Sequence, residues 1–207
     1  MIKNHRVRAL LKITAVSILV LSSFATQANQ SEVSLNAIPV CYDFGCKSEA
    51  SVSLGNEEWE SVANWFKPVA VDAKAERQQI RHAIGWMEAV IGNHTPTSND
   101  VGQNLSEGAH FPGQLDCIDE SRNTTTYLKL FEQHGLLKWH DVTERAHRKA
   151  IIDQHWSGQI EDKTNGKRYV VDSWFHPNGY LPYVQNAEQW VDIPWFSSYG
   201  DNYTESE

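Results

Sequence analysis

The sequence lacks a basic block. Its 207 residues carry 18 Lys and Arg against 26 Asp and Glu, a formal charge of −8 with histidine neutral. A chain of that sign is a poor match for a phosphate backbone, which argues against nucleic acid as a partner. Nine histidines are present, yet no pair has the HxH or HxxxH spacing that turns two imidazoles toward one ion. No metal site is therefore read, and no cofactor is implied. Also missing is an apolar run of the ~20 residues that a membrane-spanning helix needs. There is no internal repeat and no sustained low-complexity segment. Cysteine is scarce: three residues, two of them five positions apart in "CYDFGC" and the third at Cys117.

Residues 1–28 read as a signal peptide. Lys3, Arg6, Arg8 and Lys12 form a positive start, 13–25 is a mostly apolar run, and Thr26 and Ala28 suit the −3 and −1 positions of a cleavage site. The alternative for this stretch is an uncleaved N-terminal anchor. No cysteine follows the run immediately, which argues against a lipoprotein. Cleavage predicts an exported protein, periplasmic or secreted, with no stable membrane insertion afterwards. The mature chain, about 179 residues with a net charge near −12, suits one domain with a real core. An oxidising compartment predicts a Cys41–Cys46 disulfide around "YDFG", the alternative being two free thiols. Cys117 is then left over: an intermolecular partner, a buried inert thiol or a reactive one.

Along the chain, 29–55 is polar and is read as an irregular N-terminal segment apart from the disulfide loop. The following domain is placed at 56–199 and an acidic tail at 200–207. A short helix is expected over 56–66. A second, over 72–92, carries Ile80, Ile84, Met87 and Ile91 at helical spacing. The stretch 93–113 is rich in Gly, Pro, Asn and Ser, and reads as a long functional loop. Asp116 is a natural N-cap for a third helix, with Asp119 and Glu120 in its first turn and Gly135 as its stop. After it come three predicted strands, 136–148, 155–162 and 167–175, the last two joined through Asn165-Gly166. The segment 181–196 is expected to wrap the sheet irregularly. The predicted class is α+β, N-terminal helices followed by a small antiparallel sheet.

The order of three residues suggests chemistry. Cys117 opens a helix, His155 begins a strand and Asp172 ends the next. A thiol nucleophile needs a base and a third group to hold that base, and the N–H groups at a helix start favour a thiolate. Register decides whether the last two can meet. A two-residue Asn165-Gly166 turn would leave His155 four residues from the position opposite Asp172, about 13 Å away. A four-residue loop, 163–166, pairs Asp162 with Lys167, sets Asp172 opposite Ser157, and makes His155 its diagonal neighbour within side-chain reach.

The segments "DCIDES", "HWSGQI" and "YVVDSW" resemble the transglutaminase-like cysteine hydrolase superfamily, a branch of the papain-like enzymes, over roughly residues 110–175. The resemblance implies that Cys117 is the nucleophile, His155 the general base and acid, and Asp172 the orienting carboxylate. An oxyanion needs two donors. The Cys117 N–H is the natural first, Gln114 the candidate second and Gln103 the reserve.

Competing readings stand beside these. Asp116, Asp119 and Glu120 crowd the thiol and oppose a thiolate. His147 is a rival base. Trp156 and Trp174 flank the proposed triad as pocket walls or as core. The expectation is an exported cysteine-dependent acyl-transfer enzyme acting on protein or peptide amides. Its rival is a non-catalytic envelope binding or assembly module with the same fold. Nothing in the sequence speaks to oligomeric state.

Overall fold

The computed structural model describes residues 32–149 and 154–191. The proposed signal peptide and the acidic tail lie outside the described residues. Two strands come first, β1 (Ile38–Tyr42) and β2 (Ser48–Val52), paired antiparallel from Ile38↔Val52 to Tyr42↔Ser48. The Cys41–Cys46 disulfide is present at the turn between them. This corrects the reading of 29–55 as irregular. Only Ile38 and Val40 carry the inward face of β1, and β2 is "SEASV", so alternation is too faint to register.

Helix α1 (Asn56–Ala63) runs into a short 3₁₀ turn at Asn64–Phe66. Helix α2 (Ala73–Gly92) starts where Asp72 accepts the Ala75 N–H at 2.7 Å. Its Ile80, Ile84, Met87 and Ile91 are fully buried, as the spacing predicts. The stretch 93–113 holds two 3₁₀ turns but no longer element. Helix α3 (Cys117–Gln133) is capped by the Asp116 carboxylate, which accepts the N–H groups of Ile118 and Asp119. It stops before Gly135, whose φ of +67° suits a residue without a Cβ.

The segment expected as one strand, 136–148, is two: β3 (His140–Val142) and β4 (Ala146–Lys149). Both pair with the same edge of the long strand β5 (Gln154–Asp162), β3 at its end and β4 at its start. β5 pairs on its other edge with β6 (Arg168–Asp172). The C-terminal segment is also more regular than expected. β7 (Tyr183–Asn186) adds to β6, and a short helix, α4 (Ala187–Val191), follows. Its two prolines and mixed polarity hide that strand, but β7 is an edge strand and Pro182 sits just before it.

The result is an antiparallel sheet with helices packed on it, an α+β fold. Successive residues of β6 point to opposite faces. Tyr169 and Val171 join the main core with Ile84, Leu128, Phe131 and Ile160, while Val170 packs with Phe175 and Trp190 on the other side. Gly158 lets α3 sit close to β5. A Cβ there would lie 2.8 Å from Thr124 Cγ2 and 3.3 Å from the Val171 carbonyl. Gly158→Val is therefore expected to lower stability by about 1–3 kcal/mol through overpacking. Urea denaturation with an unchanged m-value checks this; an unchanged midpoint would mean that α3 is not seated so closely.

Candidate active site

The hairpin between β5 and β6 closes on four residues. The Asp162 N–H donates to the Lys167 carbonyl at 2.9 Å, and the register runs from Glu161↔Arg168 to Gly158↔Val171. The Asp162 side chain holds this loop: it accepts the Thr164 N–H at 2.9 Å, the Thr164 hydroxyl at 2.6 Å and the Asn165 amide at 3.2 Å. Arg77 of α2 approaches the same carboxylate at 3.6 Å. Asp172 is thereby level with Ser157, one position from a diagonal meeting with His155.

That meeting occurs. His155 Nε2 lies 2.9 Å from Asp172 Oδ2, and both residues are buried. The indole N–H of Trp190 donates to the same oxygen at 3.0 Å. The His155 ring is boxed by Trp174, Phe175 and Trp190, with centroids 5.0, 5.5 and 5.6 Å away. Burial works against charge on this ring. The charge and hydrogen bond of Asp172 outweigh it, and the Cys117 sulfur adds to them, so the His155 pKa is pushed up to about 10. Half-buried Cys117 stands at the first position of α3, with Sγ 3.9 Å from the carbonyl oxygen of Gln154, the residue before His155. Cys117, His155 and Asp172 thus converge at the start of α3. With Nε2 on Asp172, Nδ1 is the His155 nitrogen left for the sulfur.

The three acids around Cys117 are turned to other tasks. Asp116 caps the helix. Asp119 is fully buried and accepts the Phe44 N–H at 2.8 Å and the Cys46 N–H at 2.5 Å, tying the disulfide loop to α3. Glu120 is buried beside Glu88 and Asp100, and its pKa is driven well up, first by burial and then by the charges of those acids. The hydroxyl-rich run after Cys117 is also explained. Asn123 bridges the N–H and carbonyl of Cys41 at 2.8 and 2.9 Å, and Thr125 and Thr126 bond back to helix carbonyls.

Gln114, the candidate oxyanion donor, is held by its neighbours. Its amide nitrogen donates to the Asn99 carbonyl, and its oxygen accepts from Asn104 at 2.6 Å, so both ends are engaged in the 93–113 loop. Gln103 is likewise engaged, donating to the Phe175 carbonyl at 3.4 Å. The Cys117 N–H itself has no acceptor among the described residues. The rival base His147 stacks on Trp156 with ring centroids 3.9 Å apart. Trp174 packs on His155, and Trp156 lies on the β4 side of the site. Trp190 is a site residue that sequence reasoning missed; its register on a short C-terminal helix left no local signal. Among the described residues the only side-chain grouping of metal-ligand type contains the two disulfide cysteines, whose sulfurs are already bonded.

Beneath the site lies a set of buried acids. Glu88 is raised to about 7 by burial, against hydrogen bonds from Ser173 and Gly179. Asp100 and Asp119 are each raised to about 6, again by burial first. A carboxyl whose folded pKa is raised stabilises the fold below its unfolded value and loses that contribution as pH rises through the folded one. His155, raised from 6.5 to about 10, has the same sign above neutrality. His176, lowered by burial, works the other way. The urea midpoint is expected to fall between about pH 5 and pH 8, and Glu88→Gln to flatten that slope. A midpoint that rises over this range would contradict the assignment.

Compared with known proteins, the chain matches no family model, no curated protein and no solved structure. What is known of Cys117, His155 and Asp172 is therefore their chemistry and geometry.

Proposed function

We propose that the protein is an exported cysteine-dependent acyl-transfer enzyme with a transglutaminase-like fold, acting on protein or peptide amides. The observation that carries this reading is the 2.9 Å bond between His155 and Asp172 at a helix start occupied by the unpaired Cys117. The thiolate is the nucleophilic form of cysteine, and the positive end of α3 and the His155 ring are the groups beside the sulfur.

In the reaction, Cys117 Sγ bonds to the amide carbonyl carbon. The oxyanion that forms is met by the Cys117 N–H. The C–N bond then breaks, and the amine leaves with a proton from His155, giving a thioester. Water or an amine attacks the thioester and gives its proton to His155, and the sulfur is expelled. Asp172 holds the imidazole through Nε2 throughout, and Trp190 fixes Asp172. The Cys41–Cys46 disulfide is compatible with an oxidising compartment, in keeping with a periplasmic or secreted location.

The rival reading, a non-catalytic binding module on the same fold, is favoured by one observation: the side-chain amides of Gln114 and Gln103 are both engaged elsewhere. Losing one oxyanion donor costs about 10²–10³ in rate in enzymes that use two. Alkylation of the mature protein by iodoacetamide separates the two readings. The enzyme reading expects Cys117 to react faster than a cysteine peptide near neutral pH, and His155→Ala to slow it by roughly 10²-fold. A rate equal to the peptide's and indifferent to His155→Ala would remove the catalytic claim.

A further inference from the structure

Arg145 lies close enough to Cys117 to feel the charge of its sulfur, in a chain whose net charge is −8. Ser121 follows Cys117 by four residues on α3, so it lies one turn along the same helix face, about 5–6 Å away. Arg145 Nη1 donates to the Ser121 hydroxyl oxygen at 3.0 Å. The Ser121 hydroxyl in turn donates to the Ile118 carbonyl at 3.2 Å, which leaves its lone pairs for the arginine. The Arg145 guanidinium carbon also lies 4.6 Å from the centre of the Trp156 ring, and Trp156 directly follows His155 on β5. Trp156 is itself held by stacking against His147. The guanidinium is thus fixed at two points, one on each of the two elements that carry the nucleophile and the base.

Its hydrogen-bonding capacity is mostly unused. A guanidinium has five N–H donors, and among the described residues Arg145 makes only the bond to Ser121. The half-buried Arg145 has no carboxylate partner among the described residues, whereas the buried Arg77 is paired with Asp162. Burial lowers the pKa of Arg145, and Arg122 adds to that as a second nearby cation; Glu144 and the Cys117 sulfur act in the opposite direction. A planar fork of N–H groups backed by an aromatic ring matches a carboxylate in shape and charge.

We propose that Arg145, backed by Ser121 and Trp156, forms a carboxylate subsite beside Cys117, so that the substrate is a peptide amide carrying a carboxylate next to the bond that is broken. This rests on the reading of Cys117 as the nucleophile. The carboxylate belongs to an acidic side chain or to a free C-terminus; the chemistry of recognition is the same.

The test compares two alkylating agents of similar size, iodoacetate and iodoacetamide, each of which transfers its methylene carbon to the Cys117 sulfur with loss of iodide. Rates are normalised to those of a cysteine peptide. The subsite predicts a normalised iodoacetate-to-iodoacetamide ratio above one that falls as salt is added. Arg145→Gln is expected to reduce the ratio by about tenfold, the scale of one charged hydrogen bond. Arg145→Lys, which keeps the charge but not the fork, is expected to recover part of it, and so controls for a packing defect in the Gln variant. A Cys117 that reacts with no charge preference overturns the subsite alone; a Cys117 inert to both reagents overturns the nucleophile and the subsite with it. Protection from iodoacetamide then distinguishes the two carboxylate sources. Acetylated alanyl-glutamate amide and acetylated dialanine with a free C-terminus are compared with neutral acetylated dialanine amide. Protection by either acid above the neutral control supports the subsite and names the source, and protection by neither contradicts it.

Discussion

The register of β5 against β6 is the constraint on which the site depends. A shift of two residues along that pair would carry Asp172 out of reach of His155. The register is fixed less by the turn itself than by Asp162. Its carboxylate gathers Thr164, Asn165 and, from α2, Arg77. Arg77 in turn lies over the Tyr169 ring at 3.9 Å, and the adjacent Glu76 accepts the backbone N–H groups of Lys138, Trp139 and His140. One turn of α2 therefore pins both the end of the hairpin and the start of β3. Buried charges of this kind add little net stability, but they disfavour alternative pairings that would leave them unsatisfied. Here the alternative they disfavour is the one that would separate Asp172 from His155.

The second constraint is the seat of α3. Gly158 brings the helix down on β5, Asn123 fastens it to the backbone of Cys41, and Asp119 fastens it to the disulfide loop. The acids that flank the cysteine in sequence thus serve the fold. Asp119 and Glu120 point into the protein, where burial raises their pKa. Arg145, which feels the charge of the sulfur, is half-buried, and Arg122 near it is exposed. The string "DCIDES" does not show this, because sequence adjacency says nothing about which way a side chain turns on a helix.

Much of this was legible in the sequence where a local rule applied. The Asp116 cap, the Gly135 stop, the apolar face of α2 and the disulfide follow from short-range chemistry. The register question could be posed from residue counting alone, and the four-residue closure is the answer that the triad needs. What could not be read was set by distant partners. β1 and β2 look polar because only one face of the hairpin is buried, against Asn123 and the helices. β7 becomes a strand because β6 offers it an edge. The hold of Asn99 and Asn104 on the Gln114 side chain depends on how the 93–113 loop folds. Trp190 reaches Asp172 only through the path of the C-terminal segment.

The proposed chemistry depends on Asp172 holding His155 as a charged ring beside Cys117. The direct measurement is an NMR titration of the His155 imidazole in the mature protein. The ring is predicted to stay protonated through neutral pH and to titrate near pH 10. In Asp172→Asn it should drop toward the ordinary histidine value of about 6.5. A wild-type His155 that titrates near 6.5 and ignores Asp172→Asn would contradict the account.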